Sequence, residues 1–178
     1  MVLERWRGRQ SENAAAAALY LCLVEQARHP CFYRDHQIPD SVDGRYEAIA
    51  LHVFLVLHRL KSSNPATHGL AQKLHDHFFA DMDRCLREMG AGDLGVGKRV
   101  KRMAEGLYGR ISVYEAALSD DGAAALALRR NLYGTQPEVS DRTIDAMVDY
   151  LRRQAAALAE QETSDLQAGQ VSFLPGDA

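Results

Sequence analysis

The chain has 178 residues, of which 47% are hydrophobic and 25% are charged, and its formal net charge at pH 7 is -3. This is the composition of an ordinary globular domain, and it excludes a disordered or a fibrous chain. Because the net charge is slightly negative, any contact with nucleic acid must come from a local basic cluster.

The cysteines, the N-terminus and the longest uncharged segment together indicate the compartment of the protein. The three cysteines, Cys22, Cys31 and Cys85, are an odd number without CxxC spacing, so we expect free thiols in a reducing compartment. The N-terminal residues show no signal-peptide cleavage pattern. Within the most apolar segment, the longest run without Asp, Glu, Lys or Arg is residues 48–58, far short of the ~20 residues that span a membrane. We expect a mature cytoplasmic protein.

Helical periodicity dominates the chain, and no segment alternates at a period of two, which predicts an all-α fold. Residues 1–12 are expected to be a flexible N-terminal segment. The first helix is expected over residues 14–28, because Pro30 disfavours helical geometry in the residue before it. A connector that carries Phe32 and Tyr33 follows this helix.

The second predicted helix, residues 42–60, is apolar nearly all round. Asp40 or Ser41 can cap its start by accepting a backbone N–H. One apolar stripe of this helix contains Val42, Tyr46, Ile49, Val53, Leu57 and Leu60. Leu51 and Leu55 project from the opposite side. Such a helix is usually central, so we predict that the domain is built around it.

Four more helices are predicted, over residues 65–89, 96–118 and 120–133 and from residue 140 onward. Gly90 is expected to end the first of them in the left-handed conformation. Asp120 or Asp121, and then Ser140, can cap the last two. The tail from residue 164, with its glycines and Pro175, is expected to be flexible. The prediction is therefore a single compact domain of about six helices over residues 13–163.

The glycine-rich turn matches two phosphate-binding motifs. Residues 90–95 match G-x-G-x-x-G, and residues 92–98 match the first seven positions of a P-loop. Both motifs need a preceding strand, whereas this turn follows a predicted helix, and Arg99 replaces the Ser/Thr that would hold magnesium. We interpret the segment as a turn between helices in which Asp93 caps the second one.

His77, Asp81 and Cys85 stand at i, i+4 positions along the third helix, a spacing that can hold zinc or iron. No H-E-x-x-H pattern or second ligand helix accompanies them, and Cys85 belongs to the apolar face, so a structural role is favoured. A small-ligand, haem or metal-binding helical protein is the alternative function. No cofactor is predicted.

Three further polar residues are predicted to be structural. Arg110 projects beside the apolar arc of the fourth helix, where a charge normally needs a carboxylate partner. Asp81, Asp83 or Glu88 could supply it. Asp81 and Asp83 cannot form a catalytic pair, because successive helical residues point about 100° apart. No G-x-S-x-G or Cys/His signature is present, so the sequence does not indicate an enzyme.

Residues 96–110 contain five basic residues against Glu105 alone. Lys98, Lys101 and Arg102 lie away from the apolar arc of the predicted helix. They are the best candidates for touching phosphate or anionic lipid. The alternative is a solvated helix face.

Ordered short phrases between residues 19 and 118 resemble the ubiquinol-cytochrome c chaperone family, the assembly factors of respiratory complex III, in its bacterial form. The phrases are Gln26-Ala27-Arg28, Pro30 with Phe32-Tyr33, Pro39-Asp40 with Val42-Asp43-Gly44-Arg45-Tyr46-Glu47, Leu51-His52-Val53-Phe54-Leu55, Phe79-Ala80-Asp81-Met82-Asp83, Leu86-Arg87-Glu88-Met89-Gly90, Gly92-Asp93-Leu94, Val96-Gly97-Lys98 and Tyr108-Gly109-Arg110.

The resemblance implies an all-helical, non-enzymatic chaperone that handles newly made cytochrome b near the ribosome or the inner membrane. Mitochondrial relatives work with a small partner protein and associate with the ribosome. This chain lacks their targeting extension, which suits a bacterial cytoplasm and peripheral contact with the cytoplasmic face of the inner membrane. Phe32, Tyr33, Leu51 and Leu55 become candidate client contacts, because aromatic and surplus apolar surface can shield a membrane-protein segment.

Overall fold

Helices make up most of the part of the chain that the structure describes. A computed structural model describes residues 2–90, 93–136 and 138–176, and this part of the chain contains eight helices and no strand. The helices are α1 (Val2–Ala27), α2 (Pro30–Arg34), α3 (Val42–Ser62), α4 (His68–Glu88), α5 (Asp93–Ala117), α6 (Asp121–Asn131), α7 (Asp141–Ala159) and α8 (Thr163–Gln167). The predicted all-α single domain is confirmed.

Local capping signals place several helix ends where the sequence predicts them. The side chains of Ser41, Asp120 and Ser140 each accept a hydrogen bond from the backbone N–H three residues further along. Each therefore satisfies a donor that the first turn leaves unpaired. Gly90 follows α4 with a φ of 82°, the left-handed conformation that favours glycine.

Helix α3 lies at the centre of the domain and contacts α1, α4, α5 and α7. Every residue from 48 to 56 is buried, which confirms the predicted central apolar helix. Val42 was expected to face the core but is 62% exposed, because it occupies the first turn, before the helix enters the core. No helix in the described part of the chain is long and apolar enough to cross a bilayer.

The N-terminal region is more helical than predicted. Helix α1 begins at Val2, twelve residues before the expected start at residue 14. The first thirteen residues contain no proline, so no residue there removes a helical hydrogen bond. The flexibility of residues 1–12 stays a prediction. The connector after Pro30 is also partly helical, because it forms α2.

The C-terminal region lies against the domain, and the flexibility of the tail from residue 164 stays a prediction. Residues 163–167 form α8, whose Leu166 is fully buried, and the segment that follows lies against the body of the domain. We call residues 170–176 the tail strap. Val171 and Phe173 of the strap pack on the core. The strap is placed by residues far away in the chain, which local composition does not reveal.

Candidate functional site

Three of the four predicted client contacts are core residues. Phe32 and Leu51 have no exposed surface, and Leu55 is 1% exposed. Tyr33 is half-buried, and its hydroxyl donates a hydrogen bond to the carbonyl of Ala27 over 2.9 Å. The prediction of exposed apolar contacts at Phe32, Leu51 and Leu55 is therefore corrected, because neighbouring elements cover α2 and both sides of α3.

Phe32 belongs to a buried cluster of rings in which His52 and Tyr150 are joined by a hydrogen bond. Its ring centroid lies 5.4 Å from that of His52 and 5.1 Å from that of Tyr150. The His52 Nδ1 lies 2.7 Å from the Ala48 carbonyl, which can only accept, so this nitrogen carries the proton. The Nε2 then accepts from the Tyr150 hydroxyl over 2.8 Å. Burial lowers the pKa of His52 to about 4, which keeps the ring neutral at pH 7.

The tail strap is held by two glutamine side chains, Gln154 of α7 and Gln161 just beyond the end of that helix. The Gln154 amide donates to the Leu174 carbonyl over 2.7 Å and accepts from the Leu174 N–H over 3.0 Å. Gln161 makes the same pair of bonds with the backbone of Ser172, at 2.7 and 3.0 Å. Gln154 belongs to α7, whereas Gln161 follows the C-cap residue Glu160, so the strap is bound by this helix and by the segment directly after it. Each amide group hydrogen bonds to both the N–H and the C=O of one strap residue, as the backbone of a neighbouring β-strand would.

The strap also covers the buried ring cluster. The Phe173 ring lies 5.6 Å from the His52 ring. Further along, the His36 Nε2 hydrogen bonds to the Gly176 carbonyl over 2.6 Å. Cys22 and Gln26 of α1 also donate hydrogen bonds to strap carbonyls, and Gly176 lies against Cys31 and Phe32 of α2. The strap therefore lies in a groove formed by α1, α2 and α7, with α3 at its base; we call it the strap groove.

Arg110 has a different partner from the one that the sequence suggested. It pairs with Glu47 of α3 rather than with a carboxylate of α4: its Nε donates to Oε2 over 2.7 Å, and its Nη2 donates to Oε1. The guanidinium lies 5.4 Å from the ring centroid of Tyr46. Burial raises the pKa of the Glu47 carboxyl, and the hydrogen bonds from Arg110 oppose that rise. The pair ties α5 to the central helix.

The two aspartates of α4 also have structural partners. Asp81 is nearly buried, accepts a hydrogen bond from the Tyr20 hydroxyl over 2.8 Å and pairs with Arg84. Asp83 pairs with Arg87 one turn further along, at 2.7 Å. Asp81 is thus a pairing partner, as expected, although not for Arg110.

The i, i+4 series on α4 does not form a metal-binding group. The His77 Nε2 lies 3.3 Å from the backbone carbonyl of Asn13, and Asp81 is engaged as described above. Across the described residues, no three His, Cys, Asp or Glu side chains come together in a way that could hold a metal ion. The donor set of His77, Asp81 and Cys85 therefore does not fit a metal site.

The glycine-rich turn joins helix α4 to helix α5, so neither phosphate motif follows a strand. This geometry agrees with our interpretation of the segment as a turn between helices. Ala91 and Gly92 lie outside the described residues, as do the side chains of Asp93 and Arg99. The cap by Asp93 stays a prediction.

Three basic residues of α5 are on the surface. Lys98, Lys101 and Arg102 are all exposed, and Lys101 makes only a 3.9 Å contact with the exposed carboxylate of Glu105, which neutralises it weakly. Tyr108 is 61% exposed and follows Lys101 by seven residues, on the same helical face. We call Lys98, Lys101, Arg102 and Tyr108 the basic face of α5. Cations beside an exposed aromatic ring suit contact with an anionic surface.

Known proteins share this architecture. A family model described as ubiquinol-cytochrome C chaperone matches residues 34–173, which is most of the chain. The chain belongs to the ubiquinol-cytochrome c chaperone family. The match includes α3, the basic face of α5 and most of the tail strap.

Relatives of this chain include a protein that is named as an assembly factor of a respiratory complex. Ubiquinol-cytochrome-c reductase complex assembly factor 1 of Xenopus laevis is 28% identical over 90% of this chain and 81% of its own length. Protein CBP3, mitochondrial, of Saccharomyces cerevisiae is 27% identical over 86% of this chain and 46% of its own length. The chain thus spans most of the frog protein but less than half of the yeast protein.

A solved structure supports the same relationship. The crystal structure of a Cbp3 homologue from Brucella abortus is 40% identical in sequence, with a TM-score of 0.86, and the match covers 99% of this chain and 98% of the other. The fold described above is therefore that of the family over nearly the whole chain.

Proposed function

We propose that this family member is an assembly factor for ubiquinol-cytochrome c reductase that acts as a chaperone of the cytochrome b subunit. The observation that carries the proposal is the near-complete match to the Cbp3 homologue, together with relatives named as assembly factors of this complex. The polar residues best suited to chemistry, Asp81 and Arg110, are engaged in structural pairs. The protein binds its client rather than transforming it.

The charge on the surface of the domain supports a client that is made at a membrane. Newly made cytochrome b exposes apolar segments that must be shielded from water until they insert or assemble. The basic face of α5 brings the protein to an anionic partner, either the cytoplasmic face of the inner membrane or ribosomal RNA. A small partner protein and the ribosome are the further partners that we propose, and the cytoplasm is the proposed compartment.

Deletion of the gene is expected to lower the amount of assembled ubiquinol-cytochrome c reductase. Without the chaperone, unassembled cytochrome b exposes apolar surface and is lost to aggregation or proteolysis. The reduced-minus-oxidised haem b spectrum and the ubiquinol-cytochrome c reductase activity of membranes measure this loss, and succinate dehydrogenase activity serves as the control. Unchanged haem b and unchanged reductase activity in the deletion strain contradict the proposal.

Reversing the charge of the basic face is expected to weaken binding to anionic membranes. Each Lys or Arg near such a surface contributes about 1 kcal/mol, so losing three of them weakens binding by about 100-fold or more. The variant is Lys98→Glu, Lys101→Glu, Arg102→Glu. Co-sedimentation with phosphatidylglycerol vesicles and with ribosomes, across a salt series, measures the loss.

The matched control reverses three exposed arginines elsewhere, in the variant Arg28→Glu, Arg130→Glu, Arg142→Glu. It changes the net charge by the same amount but leaves the basic face intact. If both triple variants lose binding equally, or if the first keeps wild-type binding and salt dependence, the basic face has no special role.

A further inference from the structure

The strap groove holds its occupant mainly by the backbone. Gln154 and Gln161 bind the N–H and C=O groups of Leu174 and Ser172, and no side chain of the strap enters these four bonds. The side chain of Gln154 is fully buried, so its amide is held in place for this contact. Backbone pairing of this kind accepts any extended segment, as strand addition to a sheet edge does.

The side chains of the strap alternate between the groove and solvent. Val171 and Phe173 pack on the core, whereas Ser172 and Leu174 are exposed, with Leu174 at 37%. An extended segment points successive side chains to opposite sides, so a groove of this form takes apolar residues at every second position. The groove thus selects apolar, extended polypeptide without reading a particular sequence.

The strap is joined to the domain through a single turn. Gly169 has a φ of 82°, where glycine reverses the chain after α8 without strain. The strap itself has only seven residues, and four of them, Gln170, Ser172, Leu174 and Pro175, are exposed. A short segment of this kind can open locally without unfolding the helices beneath it.

We propose that the strap groove is a binding site for an extended apolar polypeptide segment and that the tail strap is its built-in competitor. In the closed form the strap covers His52 and the rings around it. In the open form a client segment replaces the strap, pairing its backbone with Gln154 and Gln161 and placing an apolar side chain where Phe173 lies. This inference deepens the proposed function and rests on it for the identity of the client.

A disulfide that fixes the strap in the groove provides a test. A Cβ atom built on Gly176 would lie 2.6 Å from the Sγ of Cys31, which is a buried cysteine. The variant Gly176→Cys therefore places two cysteines within disulfide reach after a small adjustment. Oxidation with diamide closes the strap, and dithiothreitol releases it. Gly176→Cys combined with Cys31→Ser is the matched control that cannot form this disulfide.

The probe is a fluorescein-labelled peptide with the strap sequence Gln-Val-Ser-Phe-Leu-Pro-Gly, and its binding is followed by fluorescence anisotropy. The attached strap competes at an effective concentration on the order of mM, so the wild-type protein should bind the probe weakly. Phe173→Ser weakens the strap but leaves the groove intact, and it should bind the probe at least about 10-fold more tightly. Oxidised Gly176→Cys should bind it at least about 10-fold more weakly than the reduced form.

A second peptide tests whether the groove binds the backbone of the probe. It carries N-methyl groups at the serine and leucine positions, which removes the N–H groups that donate hydrogen bonds to the side chains of Gln161 and Gln154. This peptide should bind the Phe173→Ser variant at least about 10-fold more weakly than the unmethylated probe does.

Equal probe affinity in the oxidised and reduced forms of Gly176→Cys overturns the inference. So does the absence of binding to folded Phe173→Ser, or binding that N-methylation leaves unchanged. Because these assays contain no cytochrome b, their result is separate from that of the deletion strain. Probe binding with normal reductase assembly in the deletion strain would contradict only the proposed function.

Discussion

Replacing Arg59 with methionine is expected to lower the free energy of unfolding by about 3–5 kcal/mol, because it removes a buried cation from fixed acceptors. Arg59 is only 7% exposed, and its Nε donates to the Leu158 carbonyl over 2.8 Å. Its Nη2 donates to the Gln161 carbonyl over 2.5 Å, and its Nη1 donates to the Ser63 Oγ over 2.8 Å. The Leu158 carbonyl belongs to the last turn of α7, where the helix dipole favours a positive charge, and Gln161 lies just beyond the helix.

Urea denaturation measures the loss, and a thermal scan should show a midpoint lowered by roughly 6–20 °C at about 2–4 °C per kcal/mol. Lys61→Met is the matched control on the same helix. Lys61 pairs with Glu115 at 2.7 Å, but its side chain is 69% exposed, so the control should lose at most about 1 kcal/mol. Equal losses in the two variants contradict a structural role for Arg59.

Replacing Arg110 with methionine is expected to cost about 3–5 kcal/mol at pH 7, because Glu47 is left buried without its partner. The loss should depend on pH. Burial already raises the pKa of Glu47, and without Arg110 that pKa rises further. A carboxyl whose folded-state pKa lies above its unfolded value of about 4.3 favours folding when protonated, and this advantage is lost as the pH rises through the folded-state pKa. The deficit of Arg110→Met relative to the wild type should therefore be smaller at pH 5 than at pH 7.5.

The matched control for this pair is Glu47→Gln combined with Arg110→Met, which removes both charges. Because no buried charge is left without a partner, the double variant should be more stable than Arg110→Met at pH 7.5. Urea denaturation at both pH values measures all three proteins. If the deficit of Arg110→Met does not change with pH and the double variant is no more stable, Glu47 and Arg110 are not coupled in this way.

Features that depend on neighbours in the sequence could be predicted. Ser41, Asp120 and Ser140 cap their helices because a capping side chain bonds the backbone only a few residues away. The central position of α3 could be predicted as well, because a helix that is apolar on every side must be covered on every side. Exposure of Lys98, Lys101 and Arg102 could likewise be expected, because they lie away from the apolar arc.

Features that depend on tertiary geometry could not be predicted. The partner of Arg110 proved to be Glu47, 63 residues away in the sequence, because the side chain turns toward α3. Phe32 looked like surplus apolar surface, but other elements cover it. The tail strap could not be foreseen from Pro175 and Gly176, because it is held by Gln154 of α7 and by Gln161, which follows that helix.

The central claim, that this chain handles cytochrome b, is tested most directly by capture. The tagged full-length chain is expressed in cells that are synthesising cytochrome b, treated with an amine-reactive crosslinker and purified under denaturing conditions. A tagged but unrelated helical protein of similar size is the control. Cytochrome b peptides crosslinked to this chain and absent from the control are the predicted result. A chain that restores reductase activity to the deletion strain but captures no cytochrome b would contradict it.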